Sequence, residues 1–157
     1  MAELDATDLL LVELLQRDAR TSHAALAKKV GLAASSVNER IRKLEQQGYI
    51  TGYHARLSSE AMGYDLLAFI YVAWSNPRTE AKFLAKIADE APVIEVHHVT
   101  GVWNYMLKVR VKNTRMLEKL LANVIKAVSG VERTETIIVL SSVKETSAIP
   151  TREPDWA

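Results

Sequence analysis

The 157 residues include no cysteine, which excludes disulfides and thiolate metal sites and fits a reducing compartment. There is no membrane-length apolar stretch either. The longest uninterrupted run, residues 66–74, is about half of what a spanning helix needs. The opening MAELDATD has neither the basic start nor the apolar core of a secretory signal. Low-complexity tracts are missing, and net charge is nearly so, at +1 from 20 basic and 19 acidic residues. These absences predict a soluble, cytoplasmic protein with no cofactor-binding cysteine cluster. What is present is an ordinary globular composition, 48% hydrophobic, in a chain long enough for one domain or two small ones.

The most organised stretch is 22–50, SHAALAKKVGLAASSVNERIRKLEQQGYI. Ala25, Leu26 and Val30 recur at helical spacing behind Ser22, an N-cap residue, and predict a helix over 23–30. Gly31 can take the left-handed conformation that stops it, and Leu32 is expected to plug the angle that follows. A second helix over 34–47 has Val37, Ile41 and Leu44 as one inward stripe. Two helices and a tight turn of this kind are the pattern of a helix-turn-helix, whose second helix enters the DNA major groove.

The outward residues of that second helix carry the chemistry. Ser35, Ser36, Asn38, Glu39 and Arg40 lie in its first turns, where base edges are reached. Arg40 can pair twice with guanine and Asn38 twice with adenine, whereas Arg42 and Lys43 suit phosphates, as does His23. Between residues 20 and 56 there are seven basic residues and two acidic ones, a local net of +5 in a nearly neutral chain. Such a concentration is the electrostatic footprint of a DNA reader. The ordinary alternative is a helical hairpin with a solvated charged face.

Elsewhere the pattern predicts a first helix over 5–17, with Leu11, Val12 and Leu15 inward and Leu9, Leu10 and Leu14 in surplus. Residues 49–57 flank Gly52 with β-branched and aromatic side chains and predict a small hairpin, or wing. Residues 58–64 read as a linker. Beyond it come a strand over 66–74, a helix over 79–89, a strand over 93–99, a turn over 101–104 and a strand over 105–111. A helix over 114–128 and a strand over 134–140 complete the series. The order βαββαβ is the ferredoxin-like split motif, with both helices on one sheet face. The first strand is apolar on both faces, so the other sheet face needs a cover, and a second subunit is the expected one.

The chain is thus read as α+β: an N-terminal winged helix-turn-helix domain over 1–57, a linker over 58–64, a ferredoxin-like domain over 65–144 and a C-terminal tail over 145–157, mobile from Pro150. His97 and His98 point to opposite strand faces and cannot easily share a metal, and no metal site is expected. Glu95 and His97 share a face but lack a third catalytic member, so an enzyme is the weakest reading.

Several motifs together resemble the Lrp/AsnC family of feast/famine transcription regulators. They are Leu4-Asp5-x-x-Asp8, Gly31-Leu32, Arg40-Ile41-Arg42-Lys43-Leu44-Glu45, Gln47-Gly48-Tyr49-Ile50, Tyr53, and Thr100-Gly101 between the second and third strands of a βαββαβ domain. The resemblance covers about residues 4–144. It implies a regulator that binds double-stranded DNA, responds to a small effector, often an amino acid, and assembles from dimers into larger homo-oligomers, an octamer among them. It places the effector at Thr100, Gly101, Val102, Trp103, Asn104 and Tyr105, with Thr134 and Thr136 of the last strand. Many relatives carry Gly-Asp-x-Asp in that loop, whereas this chain has Val102 and Asn104 in place of the acids. A neutral, partly aromatic pocket of this kind favours an apolar side chain over lysine or arginine. Two alternatives stay open: the loop is only a turn in an oligomer interface, or the protein is an architectural DNA binder without an effector.

Overall fold

The computed structural model describes residues 4–153, which divide into two compact units, 4–56 with 145–153, and Leu57–Lys144. The division falls at Leu57. The described part of the C-terminal tail is counted with the N-terminal unit.

The first unit is built from α1 (Ala6–Arg17), α2 (His23–Val30) and α3 (Ala34–Gln46). Local chemistry sets each boundary. Asp5 caps α1 by accepting from the Asp8 amide at 2.8 Å, and Ser22 caps α2 by accepting from Ala25 at 3.2 Å. Gly31 ends α2 at φ 70°, a left-handed conformation that a side chain would strain. Leu11, Leu15, Leu26, Ala27, Val37 and Ile41 are buried together, with Leu14, Val30 and Ile50 packed at the edge. Burial of each large apolar side chain contributes roughly 1.5–3 kcal/mol, so this small cluster carries the unit.

Leu14, expected in surplus, packs against this core, whereas Val12, expected inward, is only half-buried. Two further expectations fail in this unit. Leu32 does not plug the turn but stands 37% exposed, because Leu26 and Val37, both fully buried, already fill the angle. The hairpin across Gly52 does not form either: residues 50–58 have no strand pairing. That segment has no neighbouring strand within its unit. It is held instead by the Tyr53 hydroxyl, which donates to Glu45 Oε1 at 2.9 Å.

The second unit follows the order β1 (Leu66–Trp74), α4 (Pro77–Ala88), β2 (Val93–His98), β3 (Tyr105–Val111), α5 (Thr114–Leu120) and β4 (Val131–Ile138). Its sheet runs β2-β3-β1-β4, antiparallel throughout. This is the ferredoxin-like arrangement the element order predicts. Ala68, Ile70, Val72 and Trp74 of β1, with Tyr105, Leu107 and Val109 of β3, form one face and pack on Phe83, Ile87, Leu117 and Leu120 of the helices. The last helix does not run regularly to residue 128. After Leu120 it widens into a π-helical turn, Leu121–Ile125, closed by Lys126 N–H on the Leu121 carbonyl at 2.8 Å. The wider turn carries Ile125 fully into the core, leaving Val124, the expected inward residue, only partly buried. On the opposite sheet face lie Leu67, Phe69 and Tyr71 of β1, paired with Arg110, Lys108 and Met106 of β3 and, further along β4, with Ile137 and Glu135.

Candidate functional site

In α3 the buried residues are Val37, Ile41 and Leu44, and the exposed ones include Ser35, Ser36, Asn38, Glu39, Arg42 and Lys43. The helix therefore offers one continuous polar side while its other side holds the unit together. Asn38 and Arg42 open onto a cleft of about 450 Å³ that His23 also lines, so three of the candidate DNA contacts meet at one place. Thr21 and Tyr53 line the same cleft, and neither stood among the candidates. Tyr53 is brought there by its bond to Glu45, and burial with that carboxylate pushes its pKa to about 12. Lys43 pairs with Glu39 one turn earlier at 2.9 Å, and this contact holds the Glu39 carboxyl below its ordinary range.

Arg40 is the exception. It was expected to face the groove, but its guanidinium turns to α1, Nη1 lying 2.7 Å from Asp5 Oδ2 and 2.8 Å from Asp8 Oδ1. Its position beside Ile41 puts it at the border of the buried stripe, where two carboxylates satisfy it. In this arrangement Arg40 ties the first and third helices together. The Asp8 amide, and then Arg40, hold the Asp5 carboxyl below its ordinary value.

The loop between β2 and β3 is equally divided. Thr100, Gly101 and Val102 are exposed. Trp103 turns to the helix-free sheet face, 6.0 Å from the Tyr71 ring, with the Arg133 guanidinium 4.3 Å from its own ring centre. Asn104 continues the sheet. Its amide donates to the Val72 carbonyl at 3.0 Å, and its side-chain oxygen accepts from the Trp74 amide at 2.7 Å. One of the two acceptor positions of the side-chain carbonyl expected to receive an effector is thus taken by Trp74.

Tyr105, Thr134 and Thr136 do not join Trp103. Tyr105 is 4% exposed on the helix-covered face, where its hydroxyl donates to Glu80 at 2.7 Å and burial pushes its pKa to about 12. Thr134 and Thr136 pair with Val72 and Ile70, whose side chains point to that same face. Alternation then assigns Arg133 and Glu135, opposite Ala73 and Tyr71, to the side that holds Trp103. Alternation was visible in the sequence, but the set that faces Trp103 was not. At the sheet's β2 edge, Glu95 receives Lys108 at 3.0 Å and lies 3.1 Å from His97, an ion-pair cluster that lowers the Glu95 pKa. Among the described residues, no group of three or more His, Asp and Glu is arranged to hold a metal, and no helix is long and apolar enough to cross a membrane.

Comparison with known proteins matches both units. Residues 4–51 fit the model for winged helix-turn-helix DNA-binding domains, and residues 67–149 fit the Lrp/AsnC ligand binding domain. The chain is 36% identical over 147 residues to the HTH-type transcriptional regulator FL11 of Pyrococcus horikoshii, covering 94% of this chain and 96% of that protein. A transcriptional regulator from Neisseria meningitidis, solved with L-methionine, superposes with a TM-score of 0.91 at 26% identity, covering 94% of this chain and 97% of that one. A feast or famine regulatory protein from M. tuberculosis, also complexed with L-methionine, gives 0.86 at 34% identity, covering 94% and 99%. With a DNA-binding helix on one unit, a ligand-domain fold on the other and these likenesses across nearly its whole length, the chain belongs to the Lrp/AsnC family of transcription regulators.

Proposed function

We propose that this protein is a sequence-specific regulator that reads double-stranded DNA with α3 and answers to an amino acid held at Trp103. The observation that carries the first half is the division of α3 into a buried stripe and an exposed polar side. Ser35, Ser36 and Asn38 are the base-edge readers, and His23, Arg42 and Lys43 are the phosphate contacts. Arg40 is left out because its Nη1 is held by Asp5 and Asp8, which turns the guanidinium toward α1. Selection of bound DNA from a random pool tests this half. An enriched near-palindromic motif supports it, and recovery of unrelated sequences argues for the architectural alternative.

The effector half rests on the Trp103, Tyr71 and Arg133 cluster. Two aromatic rings suit an apolar side chain, and a guanidinium suits a carboxylate. The methionine complexes of two relatives favour the same class of ligand. The protein works in the cytoplasm as a homo-oligomer built from dimers, with a second copy covering Phe69, Tyr71 and Ile137 on the helix-free face. Glu95 and His97 are hydrogen-bonded neighbours there and not a catalytic acid and base. Titration with L-methionine while following tryptophan emission tests the pocket, with L-lysine as the disfavoured comparison. A response in wild type that Trp103→Phe abolishes supports the site. Light scattering that shows a folded monomer at micromolar concentration would refute the dimer.

The architectural reading keeps one observation in its favour. The loop has no acid at Val102 or Asn104, and the Asn104 carbonyl is occupied by Trp74. A thermal-shift panel of the twenty amino acids separates the two, since an architectural binder responds to none.

A further inference from the structure

The chain passes between its two units twice, from Arg56 to Leu57 and again from Lys144 to Glu145. After the second passage, residues 145–152 are fastened to the DNA-binding unit at three points. Arg56 Nη2 donates to the Glu145 carbonyl at 2.6 Å, which ties the outgoing segment to the returning one. Gln16 spends both ends of its carboxamide on a single residue: Nε2 donates to the Ile149 carbonyl at 3.0 Å, and the Ile149 amide donates to Oε1 at 2.8 Å. Arg152 Nη2 lies 3.4 Å from Glu13 Oε2.

The Gln16 pairing is informative. A carboxamide offers one acceptor and one donor side by side, as a neighbouring β-strand does, and so recognises extended backbone whatever its side chain. Ile149 remains 74% exposed, so its side chain is not what the helix holds. Gln16 is itself exposed and lies outside the Leu11 and Leu15 stripe, so folding of α1 does not require it. The contact is polar, solvent-facing and made between residues 133 positions apart. Contacts of that kind are individually weak, and they form and release readily when tethered.

We infer that residues 145–152 are a releasable strap whose receptor is the outer face of α1, with Gln16 as the reader of its backbone. When the strap is fastened, two segments join the DNA-binding unit to the rest of the chain; when it is released, only one does. A unit on a single flexible linker samples a larger volume than one held twice, so the strap sets how freely the recognition helix is presented. This last step rests on the DNA-binding reading above, whereas the strap itself does not.

Amide hydrogen exchange on the full-length protein tests the strap without DNA or effector, so its failure and that of the proposed function are separable. Ile149 should exchange about tenfold faster in Gln16→Ala than in wild type, with Gln16→Glu, which keeps only the acceptor, in between. The amides of Leu26 and Ile41 should be unchanged, which shows an intact fold. Ile149→Pro, which removes the tail's own donor and leaves α1 untouched, should speed tryptic cleavage after Lys144 several-fold. Equal exchange at Ile149 in wild type and Gln16→Ala, or unchanged cleavage in Ile149→Pro, overturns the inference. Protection that grows with protein concentration also overturns it, because the strap would then come from a second copy.

Discussion

Arg40 and Asp8 form a hydrogen-bonded ion pair of 2.8 Å that joins the recognition helix to the first helix. Asp5 adds a second bond of 2.7 Å from the same nitrogen. Removing the guanidinium leaves a half-buried Asp8 without its partner, and the expected cost of Arg40→Ala is about 1 kcal/mol in urea unfolding. The effect on DNA should be general. Specific and non-specific affinity should fall in proportion, because the helix loses its anchor and not a base contact. Loss of operator affinity alone would restore Arg40 as a reader.

The same tie has a pH dependence. Asp5 has a folded pKa below its ordinary 3.8, first through the Asp8 amide and then through Arg40. A lowered carboxylate pKa contributes stability that is fully present above the unfolded value and is lost as pH falls through the folded one. The first helix should therefore loosen below about pH 4, and Asp5→Ala should remove that part of the acid transition in a circular-dichroism titration.

Glu39 and Lys43 form an exposed ion pair that would compete with DNA if Lys43 is the phosphate contact proposed above. Lys43 is paired at 2.9 Å on an exposed face where phosphate would bind. Lys43→Ala should lower the slope of log affinity against log salt by about one unit, on any sequence. Glu39→Gln should do the opposite, raising non-specific affinity several-fold by freeing the lysine and removing a like charge. Fluorescence anisotropy with random-sequence duplex across a salt series reads both.

Asn104 should be a stability residue before it is a ligand residue. In Asn104→Ala the Trp74 amide loses the acceptor it has at 2.7 Å, with an expected cost of about 1–2 kcal/mol. Asn104→Asp keeps that acceptor and should unfold at nearly the wild-type urea concentration. An equal loss in both variants would contradict the assigned bond.

Glycine substitutions should separate strain from crowding. Gly31 has φ 70° and open space where a Cβ would stand, so Gly31→Ala should cost about 1 kcal/mol. Gly130 has φ 114°, and a Cβ there would lie 2.6 Å from Trp74 Cζ2 and 2.8 Å from Thr79 Oγ1. Gly130→Ala should cost about 2–4 kcal/mol in the second unit, since overpacking adds to the backbone strain. Equal midpoints for the two variants would refute the crowding.

What was legible of α3 is which of its side chains face outward, because that follows from helix geometry. Ser35, Ser36, Asn38, Arg42 and Lys43 face outward because Val37, Ile41 and Leu44 face inward, and the 3.6-residue period shows both at once. Which sheet face Thr134 and Thr136 occupy was not legible, for a related reason. Alternation shows that they share a face, but the pairing of Thr136 with Ile70 decides which face, and a slip of one residue would reverse it.

By itself the sequence determined the spans of the three N-terminal helices to within a residue, the cap at Ser22, the stop at Gly31 and the βαββαβ order. These features depend on residues within about one turn of each other, or on the period of apolar side chains, and both are written locally. Only the tertiary structure decided that Arg40 belongs to Asp5 and Asp8, that Trp103 meets Tyr71 and Arg133, that Asn104 serves Trp74, and that Gln16 holds Ile149. The partners in those contacts are some 30 to 133 positions apart. A charged or amide side chain carries no local mark of which distant group will satisfy it, because that choice is made by packing and strand register after the elements have formed.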